Sequence, residues 1–288
     1  MARSGTGSQG ASLANPSFHI LPSMYSRIEL PGLERFGADR DGAECEACGA
    51  PIQSDGMTWT KIDGEFFADL PAPASFFILR HGQSEGNSLG IYQGRLEFPL
   101  DEAGRAQARV AGAWLAGRSP DTVICSPQRR ASETARIVAE ACGCAEPTEF
   151  ESLAEVETGL FSGMGSGEAE RRHPEVFREF YAKSWDAVPG AEHSSSMYAR
   201  AVASWTSMRD TARNGARGIV CVSHGGLIQW LIRSTFGGKS WLPLLPLSNC
   251  GISEYRVEPP AHGGPAFVQW SMINFRAPGS GGEIPPVF

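Results

Sequence analysis

Three short apolar runs stand well apart along the chain. They cover residues 75–79, 122–125 and 218–223, contain no charged side chain, and are rich in β-branched and aromatic residues. Uninterrupted short runs of this kind are typical of strands that are buried on both faces of a parallel sheet. We therefore predict central strands at these positions, and two later strands at residues 251–257 and 267–274.

Between the strands, apolar residues recur with helical spacing. Ala131, Ala135 and Val138 fall on one stripe, which is the pattern of a helix with one core-facing side. Strands that alternate with helices predict an α/β fold, here a three-layer α/β/α sandwich whose mostly parallel sheet carries helices on both faces. The predicted helices cover residues 100–117, 129–142, 195–213 and 227–236.

A histidine followed by glycine lies just beyond two of the predicted strands. His81 follows the first run and Arg80, and His224 follows the third run. Ligands of open α/β sheets bind beyond the carboxyl ends of the strands, so we expect both histidines to face one crevice. The second run leads to Arg130 at the same edge. Guanidinium groups match phosphate oxygens in a bidentate way, so these four side chains predict an anion site.

The overall charge of the chain indicates which class of anion this site is expected to bind. The chain has a formal net charge of −7, so positive charge is concentrated locally, which favours a small phosphorylated metabolite over a nucleic acid. Residues 1–16 lack the apolar core of a signal peptide, and no run approaches the roughly 18 apolar residues of a membrane helix. We expect a cytoplasmic protein without a membrane partner. The oligomeric state is left open, a homodimer included.

The seven cysteines are an odd number without a secretory signal, which indicates thiols and not a disulfide framework. Cys45 and Cys48, followed by glycine, are spaced like one half of a zinc ribbon. Structural zinc requires four ligands, and no second pair follows at ribbon spacing. Cys142 and Cys144, or His19, are the other candidates. A hairpin without metal is the favoured interpretation.

Five short motifs follow one another at the boundaries of the predicted elements. They are RHGQSEGN at 80–87, YQGR at 92–95 with PLD at 99–101, SPQRRASET at 126–134, LAE at 153–155 with GLFSG at 159–163, and SHGG at 223–226. In this order they resemble the histidine phosphatase superfamily, in its phosphoglycerate-mutase-like branch, from about Ser75 to Asn274. The resemblance implies a small helical cap over about residues 156–200.

The resemblance also implies roles for single residues. His81 would be the nucleophile that is phosphorylated, and a neutral imidazole suits that role. Glu155 would be the general acid and base, while Arg80, Arg130 and His224 would hold the phosphoryl oxygens. Because these cationic and imidazole groups balance the phosphate charge, no metal or other cofactor is expected. The further residues expected around the phosphate or the substrate are Asn87, Gln93, Gly94, Arg95 and Gly225.

Several positions keep an alternative interpretation. Glu151 and Glu157 compete with Glu155, which is preferred because it matches the Leu-x-Glu motif. Arg129 neighbours Arg130 and is expected to be a solvated residue at the start of a helix. For Gln93 and Arg95, a loop side chain that faces water is almost as good an interpretation as a substrate contact.

The resemblance leaves three functions to compare. The first is a metal-independent phosphoric monoester hydrolase, favoured because the stretch between Glu155 and His224 is short. The second is a phosphoglycerate mutase, for which Arg171 and Arg172 of the cap could hold a substrate carboxylate. The third is a module that only binds a phosphorylated ligand. The predicted domain limits are 1–16 (flexible tail), 17–73 (appendage with the CxxC hairpin), 74–275 (histidine phosphatase domain) and 276–288 (loose tail).

Overall fold

Strands and helices alternate along residues 59–279, which are the residues that the computed structural model describes. The strands are β1 (Ala74–Arg80), β2 (Thr122–Cys125), β3 (Thr148–Glu149), β4 (Gly218–Ser223), β5 (Ile252–Glu258) and β6 (Phe267–Phe275). The helices are α1 (Glu85–Ser88), α2 (Glu102–Ala116), α3 (Arg129–Cys142), α4 (Ser166–Arg172), α5 (Pro174–Lys183), α6 (Ser194–Arg213) and α7 (Gly225–Phe236).

The strands form one mixed sheet in the order β3-β2-β4-β1-β5-β6. Strands β3, β2, β4 and β1 are parallel, whereas β5 is antiparallel to both of its neighbours. The register between β1 and β4 places Arg80 opposite Ser223, so these two strands end at the same edge of the sheet. His81 and His224, the next residue in each case, are therefore brought side by side.

The sheet separates two apolar layers, because alternate side chains of a strand point to opposite faces. On one face, Phe77 and Leu79 of β1 pack with α2 and α3. On the other face, Phe76 and Ile78 pack with α6 and α7, where Trp205 is fully buried. This is the predicted three-layer α/β/α arrangement, and the fold class is confirmed.

Local signals explain where the main helices begin and end. Asp101 accepts a hydrogen bond from the Gly104 N–H at 2.7 Å and so caps the start of α2. Helices α3 and α7 both end at a left-handed glycine, Gly143 (φ 69°) and Gly237 (φ 70°), a conformation that residues with a Cβ avoid. The observed bounds lie within two residues of the four predicted helices.

Residues 59–73 pack into the core, although the sequence assigned them to the appendage. The side chains of Ile62, Phe67 and Leu70 are buried in the layer that contains Trp205. The backbone is tied down as well, since the Ile62 N–H donates to the Ser234 carbonyl at 3.2 Å. The other residues of that predicted appendage, Cys45 and Cys48 among them, lie outside the described residues.

Helices α4 and α5 lie in the region where the cap was expected. Their packing is aromatic: Tyr92 stacks on Phe161 at 5.8 Å, and the Phe180 ring lies 4.9 Å from that of Trp185, measured between centroids. Tyr92 belongs to the loop after α1, so this cluster connects the cap segment to the loop beside His81. Within residues 59–279, each helix is too short or too polar to span a lipid bilayer.

Candidate active site

The His81 imidazole is buried at the carboxyl end of β1, with its two nitrogens in different roles. Its Nδ1 lies 2.6 Å from the Gly82 carbonyl oxygen, an acceptor only, so Nδ1 carries the proton. Its Nε2 accepts from Arg130 Nε at 3.3 Å. Burial lowers the pKa of His81 well below its ordinary value, and the charges of Arg130 and Arg80 act in the same direction. The ring is thus neutral, with a lone pair on Nε2.

Arg130 brings a buried guanidinium to that lone pair from the first turn of α3. Its terminal nitrogens donate to the carbonyls of Leu96 and Gly94, both at 2.9 Å. These carbonyls orient the guanidinium group of Arg130 without neutralising its charge. Burial lowers the pKa of Arg130 to about 10. The side chain therefore remains cationic near neutral pH. Arg129 is exposed, with only its backbone N–H held by Glu97 at 2.8 Å.

Arg80 supplies the second guanidinium from the last position of β1. One terminal nitrogen donates to the Leu247 carbonyl. Its Nε atom is buried and has no hydrogen-bond partner among the described residues. Burial lowers the pKa of Arg80, while the charge of Glu155 opposes this shift. A buried donor without a partner is costly, so this N–H is available to an anion.

His224 packs against His81, with 5.1 Å between the ring centroids, and is fully buried. Its Nε2 lies 2.8 Å from the Ser126 hydroxyl, which also accepts from the Gln128 N–H at 3.2 Å. When the Ser126 hydroxyl donates its proton to Nε2, its oxygen still accepts from Gln128, so both of its hydrogen-bonding functions are satisfied. Nε2 is then an acceptor, and the His224 proton lies on Nδ1. That nitrogen has no partner in the described part of the chain. Burial, followed by the charge of Arg130, lowers the pKa of His224 well below its ordinary value.

Glu155 reaches the site by capping helix α7. Its Oε1 accepts from the N–H groups of Val156 (2.8 Å) and Leu227 (3.3 Å), and its Oε2 from that of Gly226 (3.2 Å). Two N–H groups in the first turn of α7, the neighbouring Val156 N–H and the positive end of the helix dipole explain why a carboxylate lies here. The competing Glu151 is exposed in a 3-10 turn and does not line the cavity.

These groups open into a cavity of about 390 Å³. Arg80, His81, Arg130 and Glu155 line it, as do four of the residues expected around the phosphate or substrate, namely Asn87, Gln93, Gly94 and Gly225. His224 lies behind His81 and does not line the cavity. The sequence expectation for Arg95 differs from its position, because this side chain lies outside the lining and pairs with Glu192 at 3.8 Å.

Two site residues were not singled out from the sequence. Gln128 accepts from the Glu155 N–H at 2.7 Å and donates to the Gly94 carbonyl at 3.0 Å, so it joins two loops of the site. Asn249 donates to the His81 carbonyl at 3.1 Å and lines the cavity. Gln128 lies inside a quoted motif and could have been found. Asn249 lies in the loop before β5, where no local pattern marks it.

The fold and the site together define an α/β protein in which two arginines and two histidines meet at one edge of the sheet. Residues 76–272 match the family model of the histidine phosphatase superfamily, branch 1, and the chain belongs to this superfamily.

Three similar proteins illustrate the range of that superfamily. Phosphoglycerate mutase-like protein 4 of Arabidopsis thaliana is 34% identical over 161 residues, which are 55% of this chain and 69% of that protein. The metal-independent phosphoserine phosphatase of the same plant is 32% identical over 155 residues, covering 53% and 64% of the two chains. The structure of a mycobacterial glucosyl-3-phosphoglycerate phosphatase with VO3 is 25% identical at a TM-score of 0.60, covering 70% of this chain and 99% of that one.

Proposed function

We propose that this protein is a metal-independent phosphatase that hydrolyses a phosphate monoester through a phosphohistidine at His81. The observation that carries the proposal is the state of this ring. It is neutral, and its proton is held on Nδ1 by the Gly82 carbonyl. Its Nε2 lone pair lies beside the buried Arg130 guanidinium, and the positive charge of Arg80 also acts on the ring. An unprotonated imidazole nitrogen beside fixed positive charge suits attack on a phosphoryl group.

In the first half-reaction, His81 Nε2 forms a bond to phosphorus while the bond from phosphorus to the alcohol oxygen breaks. The Arg130 Nε–H, which donates to Nε2 in the ligand-free protein, is free to donate to a phosphoryl oxygen once that lone pair is used. Glu155 gives a proton to the departing alkoxide. The Gly82 carbonyl continues to accept from Nδ1–H and so stabilises the positive charge that the phosphorylated ring acquires.

In the second half-reaction, Glu155 accepts a proton from water as the water oxygen attacks phosphorus. The bond from phosphorus to Nε2 breaks, which releases inorganic phosphate and restores the neutral imidazole. A carboxylate acting first as acid and then as base accelerates such steps by roughly 100-fold to 10,000-fold. Since both steps exchange one proton with Glu155, the enzyme returns to its starting state.

The unpaired donors support the role of the arginines and of His224 in binding phosphate. Arg80 Nε is buried without a partner in the described residues, and an oxygen of a bound phosphoryl group would supply one. His224, whose Nδ1 also lacks a partner there, packs against the His81 ring that would carry the phosphoryl group. Asn87 lines the same cavity, and its amide oxygen accepts from the Ser84 N–H at 3.1 Å, which leaves its amide nitrogen for the ligand.

Two observations favour hydrolysis over the mutase alternative. Arg171 and Arg172, the candidates for a carboxylate-binding pair, are exposed on α4 and lie outside the cavity lining. Arg172 pairs with Glu168 at 2.9 Å on its own helix. The relative named a metal-independent phosphoserine phosphatase supports the hydrolase and the lack of a metal requirement. A mere binding module would not need the neutral His81.

The proposal is tested by trapping the intermediate. Brief mixing with 32P-labelled phenyl phosphate, followed by quenching in alkali, should leave label on the protein that is lost in acid, as a phosphohistidine requires. His81→Ala should lose the label and turnover together. His173→Ala, at a histidine outside the cavity lining, should keep both.

The metal requirement is tested on the same preparation. EDTA treatment followed by dialysis should leave the rate of phosphate release unchanged, because Arg80 and Arg130 supply the positive charge. Label that persists on His81→Ala would contradict the assignment of the nucleophile. Activity that vanishes with EDTA and returns with a divalent cation would contradict metal independence.

A further inference from the structure

Beyond the phosphate-binding groups, the cavity is lined by eight apolar or aromatic side chains and by the uncharged polar side chains of Gln83, Thr158, Ser166, Gln229 and Asn249. The apolar and aromatic side chains form the larger set. They come from four places in the chain: the loop after α1, the position after Glu155, the turn after α5, and the segment between α7 and β5. The residues are Ile91, Tyr92, Val156, Trp185, Trp241, Leu244, Leu245 and Leu247. A surface of this kind favours apolar groups of a ligand, because their contact with it removes both from water.

Charged groups in the same lining are few and already have a role. Of the described residues that line the cavity, only Arg80 and Arg130 have a cationic side chain, and only Glu155 has a carboxyl group. Both arginines lie beside His81, where they would bind the phosphoryl oxygens. A carboxylate or a second phosphate elsewhere in the substrate would therefore meet no cation in this lining, and an unpaired charge in an apolar cavity is strongly unfavourable.

Basic side chains near the cavity are held elsewhere by acidic partners. Arg95 pairs with Glu192 at 3.8 Å, and Lys183 pairs with Glu179 at 2.6 Å on α5. Neither basic residue lines the cavity.

The wall formed by the segment between α7 and β5, Ser240 to Leu247, is fixed by two side chains of α7. Gln229 donates to the Leu245 carbonyl at 2.6 Å and accepts from the Leu245 N–H at 3.1 Å. Arg233 donates to the carbonyls of Ser240, Trp241 and Pro243. We call residues 240–247 the apolar wall. Because its backbone is held at several points, its side chains present a preformed surface to the ligand.

On the basis of the proposed phosphatase activity, we infer that the alcohol released from the substrate is uncharged and largely apolar. The enzyme discriminates against phosphate esters that carry a carboxylate, because the lining offers such a group no cation besides the two arginines at the phosphate site. This assigns to the apolar wall the choice of substrate class, and it separates this chain from relatives whose names refer to phosphoserine.

The test is a matched pair of substrates, benzyl phosphate and 4-carboxybenzyl phosphate. Their leaving alcohols are similar in basicity, since the carboxylate is remote from the oxygen, so the comparison isolates charge. We expect kcat/KM for benzyl phosphate to be at least about 10-fold higher, a difference of about 1.4 kcal/mol. O-phospho-L-serine and 3-phosphoglycerate should be poorer still, because they are small as well as charged.

A variant with an added cation should reverse the preference. Leu245 is half-buried, lines the cavity and has its backbone held by Gln229, so Leu245→Arg should raise the relative rate with 4-carboxybenzyl phosphate at least about 10-fold. Leu244→Arg provides a second position should the first variant fold poorly. Leu242→Arg is the matched control, because this residue belongs to the same segment but lies outside the cavity lining.

The outcomes separate this inference from the proposed activity. Equal or faster hydrolysis of the carboxylated esters would overturn the inference and leave the phosphatase assignment intact. The inference would also fail if Leu245→Arg and Leu244→Arg behaved like Leu242→Arg. If no ester were hydrolysed and no label were trapped on His81, the proposed function itself would be wrong.

Discussion

At the scale of single residues, the bonds of the Glu155 carboxylate determine which oxygen would carry the proton in the proposed mechanism. A protonated carboxyl group keeps acceptor capacity on one oxygen and becomes a donor at the other. Oε1 accepts two N–H groups at 2.8 and 3.3 Å, whereas Oε2 accepts one at 3.2 Å. Protonation of Oε2 breaks fewer bonds, so we assign the proton to Oε2.

Glu155→Gln should slow the release of poor leaving groups selectively. An alkyl alkoxide needs a proton in the transition state, but a 4-nitrophenolate does not. We expect kcat/KM to fall roughly 100-fold or more for benzyl phosphate and by a smaller factor for 4-nitrophenyl phosphate. Steady-state rates with these two esters measure the difference.

The controls lie beside Glu155 in the sequence. Glu151→Gln should change both rates by the same small factor, because Glu151 does not line the cavity. Gly226→Ala should mimic Glu155→Gln, since its Cβ would lie 2.4 Å from Glu155 Oε1. Gly225→Ala should cost less, because its nearest neighbour, Arg80 Nε, would be 3.6 Å away. Equal losses for the two esters in Glu155→Gln would rule out the general acid.

Sequence reasoning reached the residues at strand ends and missed those that come from distant loops. His81 and His224 follow apolar runs directly, so the rule for ligand sites at the ends of parallel strands places them together. Asn249 meets His81 only because β5 runs antiparallel to β1 and returns its preceding loop to this edge. No local pattern encodes that return. Arg95 was named from a local motif but does not line the cavity, because its guanidinium pairs with Glu192.

At the scale of elements, Arg233 of α7 holds the backbone of the apolar wall through hydrogen bonds. It is 8% exposed, and no acidic side chain bonds to it among the described residues, so it is held by carbonyl groups alone. Burial accordingly lowers the pKa of Arg233 to about 10. Arg233 donates to three backbone carbonyls of the apolar wall and to Gln229 on its own helix, so it connects that wall to α7.

Arg233→Met should release the apolar wall from α7. Each buried carbonyl left without a donor costs about 1–3 kcal/mol, so we expect the free energy of unfolding to fall by about 2–4 kcal/mol. The KM for benzyl phosphate should rise more than kcat falls, because the wall binds the alcohol and does not touch the reacting atoms. Hydrogen exchange measured by mass spectrometry should increase most in peptides that cover residues 240–247.

Arg213→Met provides the comparison for a surface position. Arg213 is about half exposed and pairs with Asp69 at 3.4 Å, so its loss should change exchange in the apolar wall little. Uniform loss of protection across the chain in Arg233→Met would contradict a local role for this arginine. A rise in kcat/KM for the carboxylated ester alone would also contradict it.

Sequence patterns predicted best the elements whose buried residues form a continuous or regularly spaced run. Strands β1, β2 and β4 are buried, and their apolar runs identify them directly. Strand β3 has two exposed residues at the edge of the sheet and carries no such signal. Residues 59–73 contribute buried side chains without regular helical or strand spacing, so their place in the core depends on tertiary contacts.

At the scale of the whole molecule, the site brings together in the protein interior several polar groups whose burial costs free energy. Two neutral histidines and two guanidinium groups lie where β1, β2 and β4 end, between the two apolar layers of the sheet. Free energy gained in those layers offsets the cost of this site. The site therefore makes the stability of the fold sensitive to pH, because protonation of a buried histidine favours the unfolded chain.

The free energy of unfolding should decrease below about pH 6.5. His81 and His224 have folded-state pKa values well below the ordinary value, so the unfolded chain binds more protons as the pH falls through about 6.5. Stability from these groups is complete above that pH and is lost at about 1.4 kcal/mol per pH unit for each histidine until the folded pKa is reached. Urea unfolding at pH 7.5, 6.5 and 5.5 measures the slope.

His224→Gln should reduce that slope by about 1.4 kcal/mol per pH unit whatever its effect on stability at pH 7.5. Replacement of the exposed His262 by glutamine should leave it unchanged. Identical slopes for the wild-type protein and His224→Gln would mean that His224 binds a proton as readily in the folded as in the unfolded state, and the neutral histidine pair would have to be abandoned.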